Sequence, residues 1–293
     1  MSSQPTSLRT GQSVTETWPA SWPMWASSII FLYLLIVIAV RAPFPTRYDE
    51  LQHLSAIQDQ VLHPTLFIDW ARQKLLNRDL QTWSDVPNLI NHPGLFYWLM
   101  SLIATGGPDD VLRLRLLNIA LVSVGIGIAA VAACRVLVSA EQRLVFSAGL
   151  TLFPKALVVG SSINNDNLAF LASSILLSGL TSGSAWQLAA ALALAGWAKL
   201  TALLAMGFVI AFWRFRNVMA GEEKLVSRSH GLIILGGILG AVPTLYNLLT
   251  FGHVLYWNAG GLREFGQDVP TAASGISHPC GWCASWRFGR NTR

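Results

Sequence analysis

Charge is what this chain has least of. Only 12% of its 293 residues are Asp, Glu, Lys or Arg, against ~25% in soluble domains. That leaves too little polar surface to coat a globule in water, and a soluble-domain reading is excluded. Alternating apolar and polar segments are missing as well, which excludes a membrane β-barrel. No internal repeat is visible. Cysteine is sparse, with three residues in all. Cys134 lies inside an apolar block and reads as a small buried hydrophobe. Cys280 and Cys283 form a C-x-x-C near the end, but no thioredoxin-like context or second ligand pair accompanies them, so a redox or metal role is not favoured. The first apolar stretch lacks a small-residue cleavage site and reads as a retained span rather than a signal peptide.

What the chain has instead is hydrocarbon in long blocks. Hydrophobic residues make up 53% and the mean hydropathy is +0.47. Blocks of ~17–25 apolar residues suit a helix crossing a bilayer, where the backbone must satisfy its own hydrogen bonds. The fold class predicted is all-α, a polytopic transmembrane helix bundle. The formal charge of +5 and the pI near 9.4 do not point to nucleic acid. The basic residues sit in loops beside apolar blocks, where membrane orientation explains them. Twelve tryptophans fit the interfacial preference of that side chain.

Residues 1–24 read as a disordered cytoplasmic leader, 25–251 as a transmembrane domain, and 252–293 as a polar tail with the character of a truncation or frameshift product. Span one covers Trp25 to Val40. An amphiphilic segment follows, with 41–107 as an outer loop, and reads as helices lying on the membrane surface. Pro93 to Thr105 is short for a span and reads as interfacial. Further spans are predicted over Leu114–Val138, Leu144–Gly160 and Leu168–Leu180. Trp186–Trp213 is too long for one span and divides into two that meet near Lys199. A last span covers Leu232–Leu249, giving about seven in all. If Pro93–Thr105 crosses, the later loops change sides and the basic Arg214–Arg228 loop falls outside. With that segment not crossing and the amino terminus cytoplasmic, the Arg135–Arg143 turn and the Arg214–Arg228 loop are cytoplasmic, the arrangement that the positive-inside rule favours. The acidic loop, the Asn164–Asn167 turn and Lys199 fall together on the outer side.

Four places carry ionisable groups where apolar helices end. In Arg47-Tyr48-Asp49-Glu50-Leu51-Gln52-His53, Asp49 and His53 share a helical face at i, i+4. A carboxylate there suits a general base or a divalent cation, and equally an anchor at a helix end. In Asn91-His92-Pro93-Gly94-Leu95-Phe96-Tyr97-Trp98, proline starts a short helix, His92 faces either a cavity or the interface, and the aromatics match interfacial depth. Asn164-Asn165-Asp166-Asn167 is either an ordinary turn and helix cap or a functional acidic site beside a span. Lys199, flanked by apolar residues, needs a negative partner or a path to water. Phosphate suits it, as do Asp49, Glu50 and Asp166. Lys155 is a weaker case of the same kind.

The order of these motifs resembles the GT-C superfamily of membrane glycosyltransferases, which includes protein mannosyltransferases and aminoarabinose transferases. The likeness runs over residues 25–213: D-E-x-x-H after span one, N-H-P-G-L-F-Y-W-L, R-L-x-x-L-N-I-A-L-V, N-N-D-N, and A-x-A-L-A-G-W-A-K-L-T. The resemblance implies Asp49 and Glu50 as catalytic residues. It implies His53, His92, Tyr97, Asp166 and Lys199 as substrate-binding residues. It also implies a polyprenyl-phosphate-linked sugar donor, an unidentified acceptor, and a site facing away from the cytoplasm of a bacterial inner membrane. A divalent cation on Asp49 and Asp166 is the cofactor these residues would take. Gly94 stands where the family has a second proline, and the family's later spans and soluble domain do not follow. Two other readings are open. One is a transporter using Asp49, Asp166 and Lys199 as an ion or substrate relay. The other is a truncated membrane protein without catalysis.

Overall fold

The computed structural model describes residues 22–46, 48–70, 72–88, 90–221 and 228–252. Most of the leader, Cys280, Cys283, Lys224 and the tail beyond Gly252 therefore lie outside the described residues. Among those described, ten helices and one antiparallel strand pair follow in order. They are α1 (Trp22–Arg41), α2 (Tyr48–Leu62), β1 (Lys74–Leu76), β2 (Trp83–Pro87), α3 (Leu95–Ser101) and α4 (Asp110–Val136). Then come α5 (Ala140–Thr151), α6 (Pro154–Gly160), α7 (Asp166–Ser182), α8 (Ala185–Ala198), α9 (Leu200–Met219) and α10 (Arg228–Phe251).

Among the described residues four helices are long and apolar enough to cross a membrane: α1, α4, α9 and α10, the last from His230. Counting the bent pair α5–α6 as one span makes five. The count of seven is not reached by length and composition. The shortfall lies in α7 and α8, which have 17 and 14 residues. Asp166 opens the first and Lys199 closes the second. The block Leu144–Gly160, expected as one span, is bent by 55°. Pro154 begins α6 and Phe153 before it is extended, as the ring of a following proline demands.

Two further expectations change. Helix α1 begins at Trp22 and buries Met24, three residues ahead of the Trp25 start expected for span one. The amphiphilic segment is not a row of surface helices. It holds α2 and then a hairpin in which Leu76 pairs with Trp83 and Lys74 with Pro87. Turn chemistry accounts for the hairpin. Asp79 accepts from the Gln81 and Thr82 backbone N–H groups and from the Thr82 hydroxyl, the local bonding that draws Asp out of helices. The hairpin docks on α2, where Ser55 Oγ accepts the Leu76 N–H at 2.9 Å.

Two of the larger apolar clusters among the described residues show how the bundle is held, and a smaller one joins Met24 of α1 to Ala130 and Ala133 of α4. Phe31, Leu35 and Ala39 of α1 meet Ile119, Val122 and Ile126 of α4. Ala172 and Leu176 of α7 join Leu188, Ala191, Leu192 and Ala195 of α8, Met206 and Ile210 of α9, and Ile233 of α10. Helices α8 and α10 touch backbone to backbone. A Cβ on Gly196 would lie 2.0 Å from the Gly240 carbonyl oxygen, and one on Gly236 would lie 2.3 Å from that of Ala189. Gly196→Ala is therefore expected to destabilise by about 1–3 kcal/mol through overpacking. Gly207 in α9 has nothing within 4 Å of its would-be Cβ. Gly207→Ala should be neutral or stabilising by up to ~1 kcal/mol. Thermal melting of the two variants in one detergent checks the contrast, and equal melting points would contradict it.

Candidate functional site

The first turn of α2 carries two adjacent carboxylates that point apart, because successive residues on a helix are about 100° from one another. Glu50 turns inward and is 1% exposed. It accepts from Arg115 Nε at 2.8 Å and Nη2 at 2.9 Å, and from the backbone N–H groups of Thr46 and Ile163. Arg115, on α4, spends its remaining donors on the carbonyls of Ala39, Ala42 and Pro43 and on the Thr46 hydroxyl. These groups belong to the end of α1 and the turn after it, where carbonyls lack helical partners. One guanidinium thus closes α1, fixes the start of α2 and saturates a buried carboxylate.

Asp49 turns the other way, into a polar pocket of about 180 Å³. Gln52 and His53 join it from α2, and Ile90, Asn91 and His92 from the segment before α3. Asn164, Asn165 and Asp166 come from the α6–α7 turn, and Lys199 from the α8–α9 junction. Lys199 is extended, with φ −163° and ψ 129°, between two helices. Its Nζ lies 2.7 Å from Asp166 Oδ1, both side chains being about one-third exposed, at 32% and 38%. Asn164 links the Asp49 carboxylate to the backbone at the start of α7. Its Nδ2 donates to Asp49 Oδ2 at 3.4 Å, and its Oδ1 accepts the Asp166 N–H at 2.8 Å. Asn165 donates to the Ala198 carbonyl at 2.9 Å, tying the turn to the end of α8.

Behind the pocket His53 is buried, with Nδ1 3.0 Å from the Tyr97 hydroxyl. Its ring stacks on His92 at 6.0 Å and on Tyr97 at 5.8 Å. Burial holds the His53 imidazole well below its ordinary range, with His92 and Lys199 adding to the effect. Burial likewise pushes His92 down to about 4, helped by Lys199 and opposed by Asp166. Burial raises the Tyr97 phenol well above its usual value, reinforced by Asp166 and Asp49. All three rings are neutral at pH 7.

A pH dependence of stability follows. Unfolded, both histidines titrate near ~6.5; folded, both titrate lower, His92 at about 4, so the unfolded chain binds more protons once pH falls below about 6.5. Their contribution to stability is complete above about pH 6.5 and is lost as pH falls toward 4. Melting temperature in detergent should drop over that window, and His92→Gln should lessen the drop. An unchanged slope in the variant would contradict this assignment.

The pocket therefore gathers Asp49, His53, His92, Asp166 and Lys199, which the sequence singled out. It leaves Tyr97 behind His53 and Glu50 in the Arg115 clamp. Lys155 is exposed at the start of α6 and outside the lining. Among the described residues no group of three or more His, Cys, Asp and Glu is placed to hold a metal. Asp166, one of the two carboxylates proposed as ligands, already takes Lys199. Sequence reasoning missed Arg115, which stands at an unspecified position of R-L-x-x-L-N, and the bridging amides Asn164 and Asn165. Its signal was an arginine two residues into an apolar block, the counterpart of the Lys199 argument.

No protein-family model matches the chain, nor does any curated protein or any solved structure. The described residues form a helical fold with four or five helices fit to cross a membrane, and with a polar pocket between α2, the segment before α3, the α6–α7 turn and the α8–α9 junction.

Proposed function

We propose that the chain is a membrane glycosyltransferase of the GT-C kind, or the amino-terminal part of one. It would transfer a sugar from a polyprenyl-phosphate donor to an acceptor hydroxyl at the outer face of a bacterial plasma membrane. One observation carries the reading. Asp49, Asp166 and Lys199, from helices α2 and α7 and the α8–α9 junction, line one pocket, although the first is more than a hundred residues from the others in sequence. Asp49 takes the proton of the acceptor hydroxyl, whose oxygen attacks the sugar carbon. The bond from that carbon to the phosphate oxygen breaks, and the polyprenyl phosphate leaves with its charge facing the Lys199 ammonium. Asp166 holds Lys199 in place until the donor phosphate replaces it. His92 and Asn164 offer neutral hydrogen-bonding groups to the sugar.

Seven crossings with the amino terminus inside draw more support from the basic end of the bundle than from the pocket end. At the pocket end three acids are matched by bases, Glu50 by Arg115, Asp110 by Arg113 and Asp166 by Lys199. At the opposite end Arg135 reaches the Ser178 carbonyl near the end of α7, and Arg214 and Arg216 close α9. In a chain with its native cysteines replaced, Gln81→Cys should react with an impermeant maleimide from outside intact cells and Ala220→Cys should not. The function is tested by reconstituting the chain with radiolabelled polyprenyl-phosphate sugars. Transfer to any acceptor, with release of polyprenyl phosphate that Lys199→Gln suppresses, supports the proposal. Turnover that Lys199→Gln leaves intact overturns the role of the pocket.

A further inference from the structure

The α7–α9 crevice lies at the end of the bundle opposite the pocket. It is a groove of about 440 Å³ lined by Leu180 of α7 and by Phe208, Val209, Phe212, Trp213 and Arg216 of α9. On α9 these residues are spaced i, i+1, i+4, i+5 and i+8, so they form a single stripe of one helical face. The stripe is left open. Phe208 is 77% exposed and Phe212 71%. Because α9 is apolar and long enough to cross a membrane, hydrocarbon is what meets this stripe. At its end stands Arg216, in the last turn of α9, with one donor directed to Asn217 at 3.3 Å. Arg135, bonded to Ser178, brings a second guanidinium to the same end of α7. An apolar trough ending in cationic groups at the depth where a helix leaves the bilayer matches one chemistry, an acyl chain joined to an anionic headgroup.

We propose that this crevice is a binding site for an anionic phospholipid, with one acyl chain laid along Leu180, Phe208 and Phe212 and the headgroup phosphate on Arg216. The site is independent of the glycosyltransferase reading and requires only that α9 cross a membrane. Its test uses the full chain in detergent with phosphatidylglycerol and phosphatidylcholine carrying a photoreactive acyl chain. Crosslinks of phosphatidylglycerol should concentrate on Leu180 and residues 208–213. Retention of that lipid in native mass spectrometry should fall about fivefold in Arg216→Gln, while Arg216→Lys keeps it. Leu180→Trp, which fills the groove without altering charge, should block the crosslinks in a protein that still melts cooperatively. Equal retention of the two lipids would overturn the proposal. So would crosslinks spread evenly over the exposed faces of α1 and α10, or retention indifferent to both Arg216→Gln and Leu180→Trp.

Discussion

Asp49→Asn should lower sugar transfer by about 10²–10⁴-fold, the contribution of a positioned general base, and should leave the fold intact. Asparagine keeps the shape of the side chain and its contact with Asn164, and removes only the ability to take a proton. The control is Asp85→Asn, in the same acidic segment. Asp85 is fully exposed on β2 and pairs with Lys74 at 3.1 Å across the hairpin. A surface pair of that kind is worth only ~0–1 kcal/mol, so transfer should be unchanged although the formal charge changes equally. The comparison is read in initial rates at saturating donor. Equal loss in the two variants would reduce the effect to bulk charge. No loss in Asp49→Asn would move the base elsewhere in the pocket.

Arg115→Met should be the most destabilising single change at the pocket end, by about 3–5 kcal/mol. The reason is what stays behind. Glu50, fully buried, would keep only the Thr46 and Ile163 N–H groups, and the carbonyls of Ala39, Ala42 and Pro43 would lose their donor. Adding Glu50→Gln to Arg115→Met removes the uncompensated charge. The double variant should therefore melt above the single one, despite carrying one more substitution. A double variant that melts lower would show that Glu50 is held by groups other than Arg115. Asp49→Asn and Arg115→Met also separate the two neighbours on α2 by readout, the first in rate and the second in stability.

Much of this was legible in the chain. Apolar blocks are a direct consequence of what hydrocarbon tolerates, so helical character and the break at Lys199 follow from counting. A charged residue inside such a block announces a partner, which is how Asp166 stands among the candidates for Lys199 beside Asp49, Glu50 and phosphate. The hairpin was not legible. Lys74–Leu76 and Trp83–Pro87 are too short for periodicity to speak, and their pairing rests on bonds that Asp79 makes within the turn. Nor was the division of labour between Asp49 and Glu50, because it depends on which side of α2 faces Arg115. That is a matter of packing between segments 65 residues apart in the chain. The bend in the third apolar block was visible as Pro154, yet hydropathy averages across it and reads one continuous span.

The order in which the chain is made gives the clamp and the pocket different histories. Every residue of the clamp except the Ile163 amide lies at or before residue 115, so α1, α2 and α4 can lock together while later segments are still being synthesised. The pocket has no such early closure. Until Lys199 arrives, Asp166 has no ion pair and the Asn165 amide has no Ala198 carbonyl to meet. Insertion of the α8–α9 pair is the event that completes it. A nascent chain halted before Lys199 would carry a finished frame with an open, doubly acidic mouth.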